Sequence, residues 1–197
     1  EPPASAAADA VRDEKLKVLR ALRPIDADTV EQKTVRGQYR AGSVGGAAVP
    51  GYANEPDVPE GSQTETFVAI KAEIDNWRWA GVPFYIRTGK RLAARDARIV
   101  VNFRPAPHAI FQAPPGAANS LVINLQPRDG LELHLLAQGQ DGRQRARGAP
   151  SALAPVHLDL DFDTRFGTER VGAYERLLLD VIDGRLNLFV RSDEQEQ

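Results

Sequence analysis

Lys90 follows Gly89 in the run TGKRL, and this pair of residue types is suited to holding an anion. A glycine lets the backbone come close to a ligand, and a lysine ammonium reaches an oxyanion as a compact point charge. Arg87, Lys90, Arg91, Arg95 and Arg98 fall close together and are opposed there only by Asp96. Arg95 can reach the same anion from the loop beyond. Charge runs are commonly solvated surface, so on residue chemistry alone the tip reads either as an anion contact or as a solvated basic turn. His108, His134 and His157 have no carboxylate or serine at motif spacing and read as structural or solvent-exposed. No ligand cluster with recognised spacing points to a metal, so none is expected. Trp77 and Trp79 bracket Arg78, either as a stacking platform or, on the simpler reading, as the packing of a strand end.

The elements that must position these residues belong to a chain of 197 residues, 42% hydrophobic, enough for a real core. A formal net charge of -2 argues against general nucleic-acid binding, which would need many cations against phosphates. The basic cluster is local. There is no Cys, so disulfides, zinc-thiolate sites and thiol nucleophiles are excluded, and the cytoplasm is the expected compartment. No apolar run has the length of a membrane span, and no signal peptide is read at the start. The chain begins with Glu1 and contains no Met, which reads as a fragment of a longer protein.

Asp9 to Arg23 reads as a helix with Asp9 as its N-cap, a stripe of Val11, Val18, Leu19 and Leu22, and Pro24 as its stop. Thr34 to Arg40 reads as a strand, and residues 41–60, rich in Gly, Ala, Pro and acidic residues, as a long loop. From Val68 to Ile74 apolar and polar residues alternate, and Phe84 with Ile86 resume the pattern after the Trp turn. Four more alternating segments follow: ARIVVNFRP, SLVINLQP, GLELHLLAQG and PVHLDLDF. Off-phase apolar residues (Phe67, Tyr85, Val122 and Leu136) suggest that a second sheet face pairs with another chain. Gly172 to Asp183 reads as a helix closed by Gly184, LNLFVR as a final strand, and the acidic tail as the opening of a helix. The fold class is α+β: a large, mostly antiparallel sheet with helices on one face. No Gly-rich phosphate loop follows a strand.

Several segments are specific when taken together: RGQY at Arg36 to Tyr39, TETFVAIKAEIDNWRWAGVPFYIRTGKRL, NSLVINLQP at Asn119 to Pro127, AYERLLLD at Ala173 to Asp180 and LFVRSDE at Leu188 to Glu194. In this order they resemble the C-terminal domain of the glucose-6-phosphate dehydrogenase family, with VRDEKLKVLRAL similar to the helix that precedes it. The resemblance covers residues 1–197, taken as one substrate-binding and dimerisation domain. It implies an NADP-dependent oxidation of glucose 6-phosphate to 6-phosphogluconolactone, the entry step of the pentose phosphate pathway. It implies a homodimer through the sheet, with no nucleic-acid or membrane partner. It assigns Lys90 and Arg95 to substrate. The general-base His and most of the NADP site are expected upstream of residue 1, so the chain alone is expected to be inactive. The loop by which some members hold a second, structural NADP reads AQGQDGRQRARGAP here, without Lys. A non-catalytic domain that binds sugar phosphates or assembles with partners is the alternative.

Overall fold

The computed structural model describes residues 2–196 except 106, 109, 110, 112, 115, 116, 139–152, 168–171, 187 and 188. It divides into two compact units, Glu1–Ala93 with Val171–Gln197, and Ala94–Arg170.

In the first unit, α1 (Ala8–Arg20) buries Leu16 at 5% exposure and, less usually, Arg12 at 6%. It begins one residue earlier than the sequence suggests. Ala7 is the N-cap and no side chain caps the helix. Asp9 instead stands in the first turn, where a carboxylate suits the dipole, 3.7 Å from Arg12 Nη1. The helix also ends before Arg23, because the next residues are drawn into pairing with the chain at 73–75. Asp75 N–H donates to Ala21 O at 2.7 Å and Arg23 N–H to Glu73 O at 2.9 Å. Leu22 bridges Ile74, itself only 7% exposed. Sheet pairing outcompetes the last helical turn.

A short helix, α2 (Val30–Lys33), leads into β1 (Thr34–Gly37), which pairs with β4 (Phe67–Ala72), which pairs with β5 (Phe84–Gly89); all pairings are antiparallel. Residues 41–60 are not one open loop. They hold a hairpin of β2 (Gly42–Val44) and β3 (Ala47–Val49), then a single 3-10 turn at Tyr52–Asn54. Gly45 and Gly46 both take positive φ, 59° and 84°, which a two-residue hairpin turn of matching twist requires. In the turn after β4, Trp79 packs edge-on against Phe84 at 5.3 Å while Trp77 is fully exposed. The two indoles are therefore not a shared platform.

The unit's C-terminal part carries α4 (Ala173–Ile182) and α5 (Ser192–Gln195), while α3 (Phe162–Phe166) belongs to the second unit, so the acidic tail does open a helix. Gly184, at φ 66°, closes α4 as expected: its N–H donates to Val181 O at 3.2 Å and Arg185 N–H to Asp180 O at 2.7 Å. Of the expected strand LNLFVR, residues 187 and 188 lie outside the described residues. Leu186 and the residues from Phe189 to Arg191 are not strand. Their carbonyls have another use, since Arg12 Nη2 donates to Leu186 O at 2.5 Å and to Phe189 O at 3.1 Å.

The second unit is an antiparallel sheet in the order β6 (Ala97–Asn102), β7 (Ser120–Gln126), β8 (Gly130–Gln138) and β9 (Leu153–Asp161), followed by α3 (Phe162–Phe166). Asp161 Oδ1 caps α3 by accepting from Thr164 N–H at 2.9 Å. Register fixes what each face carries. One face has two apolar rows, Ile99–Ile123–Leu131–Leu160 and Val101–Leu121–Leu133–Leu158. The other has Val100–Val122–Glu132–Asp159 and Asn102–Ser120–His134–His157.

The α+β class and antiparallel pairing hold, with the described strands in three separate hydrogen-bonded sheets. The off-phase residues behave differently from one another: Val122 is buried and Tyr85 exposed. In the second unit the in-phase face carries most of the exposed apolar residues, with Ile99, Val101, Leu158 and Leu160 all open, while Val100 is exposed on the other face. No helix among the described residues is long and apolar enough to cross a membrane.

Candidate functional site

Lys90 stands at the end of β5, where its N–H donates to Thr66 O at 2.8 Å. Gly89, opposite Phe67 in the register, is glycine for a reason internal to the sheet. A Cβ there would sit 3.0 Å from the Phe67 ring, 3.3 Å from Thr66 O and 3.4 Å from Leu92. The open side of Gly89 thus faces its own chain rather than a ligand. That close packing directs the chain outward, and Lys90 is exposed. Arg91 turns the backbone in the left-handed region at φ 55°.

Beside the tip lies a network that joins three distant pieces of sequence. Arg91 Nη2 donates to Glu55 Oε1 at 2.8 Å, and the Tyr39 hydroxyl donates to the same oxygen at 2.9 Å. The Arg91 guanidinium lies 6.0 Å from the Tyr39 ring centre, and Tyr39 packs edge-on to Tyr52 at 5.9 Å. Tyr39 N–H donates to Thr66 Oγ1 at 2.9 Å, next to the carbonyl that receives Lys90. The hydrogen bond from Tyr39, then that from Arg91, holds the Glu55 carboxyl below its ordinary range. Desolvation, then the Glu55 partner, pushes the Tyr39 phenol up. Arg91 is thereby committed to structure, whereas Lys90 has no ion pair among the described residues.

Arg95 is also exposed, but it belongs to the second unit, two residues past Ala93. Its neighbour Asp96 pairs with Arg98 at 3.3 Å, which leaves Arg95 unopposed by it. His108 is exposed in the connector after β6, while His134 and His157 face each other across β8 and β9. The Lys-free loop expected to bear on a second NADP falls at 137–150, of which 139–150 lie outside the described residues. The sequence reading missed Glu55, because it lies in a stretch taken as open loop. The acidic character of that stretch, with Glu55, Asp57 and Glu60, was visible, but nothing local singled out Glu55. A basic tip that depends on distant acidic partners is invisible to local spacing.

Residues 1–197 match the family described as glucose-6-phosphate dehydrogenase, C-terminal domain. The chain is 55% identical to glucose-6-phosphate 1-dehydrogenase of Rhizobium meliloti, covering 100% of this chain and 39% of the relative. It is 54% identical to the enzyme of the same name from Zymomonas mobilis, covering 100% of this chain and 40% of the relative. A solved structure described as glucose-6-phosphate dehydrogenase in complex with its substrate glucose-6-phosphate superposes with a TM-score of 0.80 at 36% identity, over 98% of this chain and 37% of that one. A glucose-6-phosphate 1-dehydrogenase structure from Mycobacterium avium gives 0.74 at 34% identity, over 98% and 37%. The chain therefore spans about two fifths of the length of the curated relatives it matches. With its ordered motifs, its antiparallel α+β fold and a match along its whole length, the chain belongs to the glucose-6-phosphate dehydrogenase C-terminal domain family.

Proposed function

We infer that this chain is the substrate-binding and dimerising part of an NADP-dependent glucose-6-phosphate dehydrogenase, which oxidises glucose 6-phosphate to 6-phosphogluconolactone in the cytoplasm. The observation that carries this reading is the exposed Lys90 ammonium at the RTGK tip, without an ion pair among the described residues and next to the Arg91–Glu55–Tyr39 network, in a chain that matches the family throughout. Lys90 and Arg95 are the two cations that the family pattern assigns to the substrate, and a charge-assisted contact to the dianionic phosphate of the sugar suits the chemistry of either. No Gly-rich phosphate loop follows a described strand, so no residue here is assigned to the coenzyme. NADP, when bound, accepts the hydride from the anomeric carbon. Its site and the general base belong to the rest of the full-length enzyme.

The test is Lys90→Ala in the full-length enzyme. Loss of one charge-assisted contact of about 1.5–3 kcal/mol should lower kcat/KM for glucose 6-phosphate by ~10- to 150-fold and leave the KM for NADP unchanged. Unchanged use of glucose 6-phosphate would remove Lys90 from the site. Dimerisation is proposed through the open apolar rows of the second unit, since an apolar face this continuous is seldom left to water.

A further inference from the structure

His134 and His157 are direct partners in the antiparallel ladder of β8 and β9, and their rings stack with centres 4.7 Å apart and planes 20° from parallel. Glu132, two residues before His134 on the same face, brings Oε2 to 3.2 Å from His134 Nε2 and 3.7 Å from His157 Nε2. The ligating atoms of all three lie within 4.8 Å of one another. The other carboxylate oxygen, Oε1, is taken by Asn124 Nδ2 at 2.7 Å, which fixes the orientation of the group and leaves Oε2 facing the imidazoles. That bond, with help from the two histidines, holds the Glu132 carboxyl below its ordinary range. Asp159 stands opposite Glu132 in the register and adds negative potential to the same patch. We propose that Glu132, His134 and His157 form a surface site for a divalent transition cation of the zinc class, with Asn124 as the outer partner that positions the carboxylate.

The chemistry favours such an ion. Two neutral imidazoles and a carboxylate make a donor set suited to zinc, with remaining positions open to water. Ligand atoms about 2.0–2.2 Å from a tetrahedral ion lie about 3.4 Å from each other. The carboxylate-to-imidazole distances already approach this, and the half-exposed rings need only tilt toward one another. A ligating carboxylate held by a further side chain is the usual construction of a metal site. The site lies on the sheet face opposite the apolar rows, and it is independent of Lys90. Local spacing concealed it, because the second histidine comes from the next strand.

The experiment is titration of the chelator-stripped full-length enzyme with ZnCl2, followed by calorimetry, and with CoCl2, followed by visible d–d absorption. The wild type is expected to take up one more equivalent per chain than the double variant His134→Ala/His157→Ala, with turnover unchanged in the absence of metal. Asn124→Ala should keep the stoichiometry and weaken affinity ~10-fold. Glu132→Gln, which preserves shape, provides the check should the double variant show an altered circular dichroism spectrum. Loss of the equivalent in Glu132→Gln supports the site. Equal uptake and affinity in wild type, Glu132→Gln and the double variant would overturn it.

Discussion

Arg91 donates to the Glu55 carboxylate at 2.8 Å across 36 positions of sequence, so the residue next to Lys90 is anchored by a segment that precedes β4. Glu55→Ala in the full-length enzyme should free Arg91 and Tyr39 together and let the tip wander. We expect an order of tenfold rise in the KM for glucose 6-phosphate with the KM for NADP unchanged. Tyr39→Phe removes only one hydrogen bond to Glu55 and should cost less, about fivefold, from ~1 kcal/mol. If Glu55→Ala lowers thermal stability while both KM values stay put, the network is structural and does not position Lys90.

Arg12 is a buried cation whose Nη2 alone serves the carbonyls of both Leu186 and Phe189. Arg12→Leu leaves both carbonyls without that donor and should destabilise by about 2–3 kcal/mol, read as a lowered urea midpoint. Lysine keeps one charged donor for the carbonyls but has no second terminal nitrogen like the Nη1 that stands 3.7 Å from Asp9, so Arg12→Lys should recover only part of the loss.

Acid should loosen the junction of α1 with β4. Arg23 Nη2 and Nε reach Asp75 at 2.6 and 3.2 Å, Arg23 Nη1 reaches Glu73 at 2.8 Å, and Lys33 reaches Glu73 at 3.1 Å. The hydrogen bond from Arg23 depresses the Asp75 carboxyl, and that from Lys33 leads the depression of Glu73. A folded value below the unfolded one means stability that is complete above the ordinary carboxylate values of 3.8 and 4.5 and is lost as pH falls through the depressed ones. The urea midpoint should therefore fall between about pH 5 and about pH 2. Asp75→Asn should be less stable at neutral pH and show a shallower fall. An identical slope in the variant would assign the acid sensitivity to other carboxylates.

Gly130 begins β8 against β9, and a Cβ there would lie 2.8 Å from Leu160 O, a backbone atom that cannot swing aside. Gly130→Ala should cost about 1–3 kcal/mol by forcing the strands apart. The apolar rows beside it give a separate test. Leu158→Arg places a charge on the open face and should shift the full-length enzyme from dimer to monomer in sedimentation, with little change in monomer fold. A wild-type enzyme of monomeric mass would reject assembly through this face.

The sequence by itself determined the elements and their class. Period-two alternation in the four segments from Ala97 to Phe162 sorts side chains onto two faces whatever the partner strand, and the sequence marks the existence of the helices at Ala8–Arg20 and Ala173–Ile182. Gly184 follows from the same local logic, because only a residue tolerant of positive φ closes that helix end. Family membership was also legible, since it rests on residue types in order. The tertiary structure decided the rest, because these features depend on register and on long loops closing. It ended α1 at Arg20 by pairing Leu22 with Ile74, folded residues 41–60 into a hairpin that delivers Glu55 to Arg91, and used Gly89 for packing against Phe67. It also set His134 opposite His157. Contacts between residues dozens of positions apart leave no periodic trace in the chain, so the basic tip could be read from sequence but the scaffold that holds it could not.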